Sequence, residues 1–174
     1  METFLEILKF TIPSLITFGV AFVILNKFMQ DQQEKRMFEL KKQQQDYMTP
    51  IKLQAYERLT LFLERVSPTN LIPRINRNGM TAKQLHQGVL KNIRSEYEHN
   101  LAQQIYVSPQ TWAMIGRSKE ELVKMVNVAS TKVDPNGPAI ELTKVLYDII
   151  KAAKGAPTQK ALNTMKQEIN KQFR

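Results

Sequence analysis

Cysteine is absent from the 174 residues. That excludes a disulfide framework and thiolate metal sites, and it fits a reducing compartment. Period-two alternation is also missing: no stretch keeps it long enough to make a strand, so an all-α chain is expected. There are six glycines, and none belongs to a Gly-rich phosphate loop. No serine sits in a nucleophile context, and no metal ligands cluster. These absences point away from an enzyme and imply no cofactor.

Histidine is nearly absent too, with two in the chain. Glu96 and His99 have the Glu-x-x-His spacing that di-iron helical bundles use, because positions i and i+3 both project toward one metal. Such a site needs a second unit, and the residue three before His86 is Lys83. The plainer reading makes His99 a hydrogen-bonded link between helices, with Arg94 and Glu98 a local i,i+4 pair. Glu57-Arg58 and Glu64-Arg65 repeat seven residues apart, which reads as surface or inter-helix ion pairing. The single tryptophan, Trp112, reads as a core anchor.

Long apolar runs are absent except for one. Between Lys9 and Lys27 lie seventeen residues without a charge. At ~1.5 Å per residue they span about 25 Å, slightly less than a ~30 Å hydrocarbon core. Phe4, Leu5, Ile7 and Leu8 extend the run upstream, and Phe28 and Met29 downstream. A soluble core helix would carry polar residues every third or fourth position, but from Leu15 to Leu25 only Thr17 is polar. A cleaved signal needs a basic start and a small-x-small site; this start carries Glu2 and Glu6. The reading is an uncleaved transmembrane helix over residues 1–29, with Phe10, Ile12, Leu15, Phe18, Phe22 and Leu25 in contact with the lipid bilayer. Pro13 opens or kinks it. Lys27, Lys35, Arg36, Lys41 and Lys42 follow the helix, whereas Lys9 alone precedes it. The positive-inside rule then places the body in the cytoplasm and the N-terminus outside.

The net charge of +9 is unevenly placed. Residues 1–47 hold six basic and six acidic side chains, so the whole excess belongs to the remainder. A basic body can meet nucleic acid, anionic lipid or an acidic protein.

Residues 30–48, rich in Gln, Lys and Glu, read as a polar helical stalk whose apolar residues keep no clean heptad. Residues 49–174 read as a bundle of five or six helices. Thr49-Pro50 starts the first, with Ile51, Ala55, Leu59, Phe62, Leu63 and Val66 on one face. Ser67-Pro68 ends it, and a loop with Arg74 and Arg77 runs to Gly79. Thr81 and Gln84 form a capping box, followed by a stripe at Leu85, Val89, Ile93, Tyr97, Leu101 and Ile105. Ser108-Pro109 is another start, and Ser118 with Glu121 a second capping box. Asp134 to Pro138 is a tight turn, Gly155 a helix stop, and Pro157 opens a last helix with Leu162, Met165, Ile169 and Phe173 on its apolar side.

Lys160, Lys166, Lys171 and Arg174 stud the opposite side of that helix, and with Arg74 and Arg77 they are the candidate interaction surface. The amphipathic helix suits packing on the bundle, an anionic leaflet, or a partner groove, in that order. The loops bearing Arg74 and Arg77 lack interleaved aromatics, which leans against nucleic acid.

The stretches "LQAYERLTLFLERVSPTNLIPRINRNGMT" and "IRSEYEHNLAQQIYVS", with Trp112, resemble a family of single-pass membrane proteins of unknown function from Bacteroidota. The likeness covers essentially the whole chain and is least clear in the C-terminal helix. It implies the bacterial inner membrane and transfers no catalytic or binding residue. The expected role is a non-enzymatic, membrane-anchored interaction module, an accessory or scaffold subunit with a membrane protein partner. The alternative is a tethered binder of nucleic acid or anionic lipid.

Overall fold

The computed structural model describes the backbone of residues 2–172 and the side chains of Lys9 and of residues 11–171. Six α-helices, α1 (Glu2–Val66), α2 (Pro68–Ile75), α3 (Ala82–His99), α4 (Pro109–Ser130), α5 (Ala139–Ala152) and α6 (Pro157–Gln172), and one short 3-10 turn, Leu101–Ile105, make up the fold. No strand occurs among the described residues; the sole β feature is an isolated bridge between Thr81 and Pro138. The chain divides into two compact units, residues 1–49 and 50–174.

In the first unit, α1 carries the apolar run and the polar stretch after it. None of the apolar window in α1 is buried among the described residues. Ser14 and Thr17 return their hydroxyls to the helix, donating to the carbonyls of Thr11 and Ser14 at 2.9 Å each. A small polar residue in apolar surroundings is satisfied in this way.

The second unit begins inside α1, where the expected new start at Thr49-Pro50 does not occur. Pro50 cannot donate to the carbonyl of Asp46, yet α1 continues to Val66. The buried face is the expected one except at its first member. Tyr56 joins Ala55, Leu59, Phe62, Leu63 and Val66 in the core, while Ile51 is 41% exposed.

Ser67-Pro68 does end α1, but it opens α2, where a loop was expected. Pro68 takes the first turn, and Pro68, Leu71 and Ile72 are buried. Helix α2 also completes the end of α1, whose last carbonyls lack helical partners. Asn70 donates from Nδ2 to the Glu64 carbonyl at 2.9 Å, and Arg74 from Nη2 to the Arg65 carbonyl at 3.1 Å. Ile75, the last residue of α2, lies where a side chain at Gly88 would be: a Cβ there would meet Ile75 Cγ2 at 2.9 Å. The glycine is what lets these two helices approach.

The start of α3 has its capping box. The Thr81 hydroxyl accepts from the Gln84 amide at 3.3 Å, and Gln84 Oε1 accepts from the Thr81 amide at 3.0 Å. The next orphan donors are met from the Asp134–Pro138 turn: the Ala82 amide donates to the Gly137 carbonyl at 2.8 Å and the Lys83 amide to the Pro135 carbonyl at 2.9 Å. Leu85, Val89 and Ile93 are buried as expected. Tyr97 still packs against the core, and there the stripe stops. Asn100 donates from Nδ2 to the Glu96 carbonyl at 2.8 Å, α3 ends at His99, and Leu101 and Ile105 fall on the 3-10 turn, 40% and 72% exposed.

One helix, α4, covers Pro109–Ser130 without the second start at Ser118. The Ser118 side chain is buried instead, and its hydroxyl has no hydrogen-bond partner among the described residues. Helix α5 closes with a six-to-one bond from the Gly155 amide to the Ile150 carbonyl, and the Lys154 amide bonds the Lys151 carbonyl, both at 3.1 Å. This is a Schellman end. Its left-handed position is taken by Lys154, at φ 58°, one residue before the expected stop at Gly155.

The last helix packs on the bundle. Ala161, Leu162 and Met165 of α6 join Ile115, Leu122 and Val126 of α4 in the same core, with Ile169 packed against its edge. Phe173 lies outside the described residues.

Candidate functional site

The expected anchor residues Ile12, Leu15, Phe18, Phe22 and Leu25 are all exposed, and Phe18 and Phe22 stack with ring centroids 6.5 Å apart. The side chain of Phe10 lies outside those described.

The described members of the expected interaction surface fall on different elements. Arg74 is on helix α2, not on a loop, and is engaged in closing α1. Arg77 lines a hollow of about 300 Å³ between the segment after α2 and the Asn136–Ile140 turn. Lys160, Lys166 and Lys171 are exposed on α6, and Lys171 lines a different hollow with Ser108, Thr111 and Thr164. Arg174 lies outside the described residues.

The histidine expected to link helices is not the one that does. His99 is exposed, whereas His86 Nε2 lies 2.8 Å from Asn127 Oδ1 and ties α3 to α4. Arg94 and Glu98 form no ion pair among the described residues. Arg65 instead reaches Glu96 at 3.0 Å, which joins α1 to α3. No group of three metal-ligating side chains occurs among the described residues. Trp112 is half-buried and stacks on Tyr97 at 5.4 Å between ring centroids; Tyr97 in turn meets Phe62 at 6.0 Å.

The densest polar junction is one that sequence reasoning missed. Glu168, in the penultimate turn of α6, receives the Tyr56 hydroxyl from α1 and the Thr111 hydroxyl from α4. It also accepts from the Ser108 amide at 3.1 Å and the Ser108 hydroxyl at 2.8 Å. Ser108 is itself the N-cap of α4, accepting from the Thr111 amide at 3.1 Å. A carboxylate at a helix N-terminus is favoured by the macrodipole as well as by these donors. Burial pushes the Glu168 carboxyl up, but the bonds from Thr111, Tyr56 and Ser108 outweigh it and hold the group below the ordinary carboxylate range. The junction fastens three helices. Beside it lies a hollow of about 380 Å³ lined by Gln110, Thr164, Gln167 and Lys171.

A second shallow feature runs between α1 and α3. Arg58, Leu61, Phe62 and Arg65 form one wall, and Glu96, His99 and Asn100 the other, around a volume of about 250 Å³.

Residues 2–172 match the sequence profile of a family of unknown function, DUF7935. No curated protein and no solved structure matches the chain.

Proposed function

The chain belongs to the DUF7935 family, and we propose that it is a single-pass, non-enzymatic interaction module of the bacterial inner membrane, of Bacteroidota origin, that serves as an accessory or scaffold subunit of a larger membrane complex. One observation carries the reading. The apolar window of α1 has no buried residue, while the second unit has a continuous core of its own. An apolar helix that the rest of its chain does not cover needs another apolar medium, and a bilayer supplies one. The excess of Lys and Arg after the apolar run of α1 supports an N-out, body-in orientation.

Interaction rather than catalysis is supported by how the polar side chains are used. Glu168, Tyr56, Ser108 and Thr111 bond one another, as do His86 and Asn127, and in both places the outcome is a fastened helix.

The protein is expected to stay in the pellet after a carbonate wash, and a reporter active only in the periplasm should be silent when fused after Arg174. Recovery in the soluble fraction overturns the anchor; strong reporter activity reverses the orientation. Affinity purification from native membranes, with identification of co-eluting proteins, tests the scaffold role. A second reading, a binder of anionic lipid or nucleic acid, draws on the exposed Lys160, Lys166 and Lys171. Six or more phosphate contacts would lose ~10³-fold in affinity between ~50 and ~200 mM salt.

A further inference from the structure

We infer that the groove between α1 and α3 is the surface on which this module docks, and that its occupant is an acidic amphipathic helix of the partner protein. The inference rests on the interaction-module reading and names the place and the chemistry within it.

The α1 wall presents Arg58, Leu61, Phe62 and Arg65, spaced i, i+3, i+4 and i+7, so all four lie along one ridge. The α3 wall presents Glu96, His99 and Asn100. Phe62 is fully buried and forms the floor, whereas Leu61 beside it is 54% exposed. A leucine half in water next to an aromatic floor is what a partner's apolar stripe covers when a helix lies in a groove.

Charge selects the kind of helix. Arg65 is occupied by Glu96 at 3.0 Å. Arg58 is exposed on one wall and His99 on the other, and neither has an ion-pair partner among the described residues. The groove therefore holds one neutralised pair and free cationic or neutral groups, with no unpaired carboxylate lining it. The body around it carries all nine surplus positive charges of the chain. A basic helix would meet Arg58 and the field of the body. An acidic one places carboxylates against Arg58 and His99 while its apolar side covers Leu61. Arg58 makes the specific contact, because its guanidinium presents a fork that matches a carboxylate.

The test uses the full chain in a nanodisc of zwitterionic lipid and two fluorescein-labelled helical peptides about 20 residues long. One carries Leu on one face and Glu on the other; in the second every Glu is Lys. Binding is read by anisotropy at ~50 mM salt. The Glu peptide should bind and the Lys peptide should not. Arg58→Glu and Leu61→Asp, both at exposed positions, should each weaken the Glu peptide at least ~10-fold. Arg58→Gln carries the charge arm should the reversal lower the melting temperature. The triple charge reversal at Lys160, Lys166 and Lys171 should leave binding within ~3-fold.

Failure of the Glu peptide to bind overturns the inference. So does binding unchanged by Arg58→Glu and Leu61→Asp, or binding lost only in the α6 triple variant. The broader reading fails separately, when crosslinked native membranes yield no protein partner for the wild-type chain. A partner recovered equally by wild type and by Arg58→Glu/Leu61→Asp keeps that reading and removes the groove from it.

Discussion

Replacing Glu168 by alanine should unfasten α6 from the bundle at one defined point. The carboxylate takes bonds from the hydroxyls of Tyr56, Ser108 and Thr111 and from the Ser108 amide. Ser108 and Thr111 border a hollow, so water can replace part of what they lose. Tyr56 cannot be rescued so easily, because its residue is 1% exposed. Losing a hydrogen bond to a charged group costs about 1.5–3 kcal/mol. Adding a smaller loss at the α4 N-cap gives about 2–4 kcal/mol in all. For a domain of this size about 3–4 °C of melting temperature corresponds to each kcal/mol. Glu168→Ala should therefore melt roughly 6–15 °C below wild type, as followed by circular dichroism on the full chain in detergent at pH 7. Combining it with Tyr56→Phe should be less than additive, by about 1 kcal/mol or more, since the two groups share a bond. The effect also has a pH signature. The folded carboxyl lies below its ordinary range, so its stabilisation is complete above the unfolded glutamate pKa of about 4.3 and is lost as pH falls through the folded value. The gap between wild type and Glu168→Gln should thus be constant near neutrality and shrink in acid. A melting temperature for Glu168→Ala within about 1 °C of wild type would refute the reasoning, as would additivity with Tyr56→Phe.

Lys154→Gly should raise stability by about 0.5–1 kcal/mol in urea denaturation, because Lys154 holds a left-handed φ of 58° that glycine adopts freely. Lys154→Ala should give no such gain. Ser118→Ala should be neutral to stabilising by up to about 1 kcal/mol, since it removes a buried hydroxyl with no partner among the described residues; a loss above about 1 kcal/mol would mean that the hydroxyl is satisfied. Ile169→Asp should lower the melting temperature by about 5 °C or more, because Ile169 packs against the core from α6; an unchanged value would mean that α6 does not depend on that contact.

Local signals were read correctly where the chemistry that decides them is itself local. Thr81 and Gln84 are three residues apart and complete their box without outside help. Ser108 caps α4 in the same way. The same pattern at Ser118 and Glu121 misled, because nothing within those residues says whether the serine faces solvent or core, and packing against α4's neighbours puts it inside. Prolines misled for a related reason. A proline removes one donor and disfavours one geometry, which makes Thr49-Pro50 look like a boundary and the stretch from Pro68 look like a loop, yet α1 runs through the first and α2, with Pro73 inside it, occupies the second. The Glu168 junction was illegible in principle. Its partners Thr111, Ser108 and Tyr56 lie 57, 60 and 112 residues away in the chain. No periodicity or spacing rule joins such positions, and from sequence the residue stood out only as a lone acid among lysines.

That lone acid shows how the surplus charge is managed. Helix α6 keeps its lysines on the solvent side and commits its single described carboxylate to the interior junction, against hydroxyls and a helix N-terminus. Glu96 is likewise largely covered where it pairs with the exposed Arg65 between α1 and α3. Acidic groups are thus withdrawn from the surface at Glu96 and Glu168, and the lysines beside them stay exposed. The outward face of the body is more positive than the count of charges alone would suggest. Electrostatic attraction falls off within a Debye length of about 8 Å at physiological ionic strength, so this field acts at contact range, as steering and selection for an acidic surface. A body with that bias and an uncovered apolar run at the start of α1 has two unsatisfied demands, one for an apolar medium and one for negative charge. A membrane protein partner with an acidic helix at the bilayer surface would answer both.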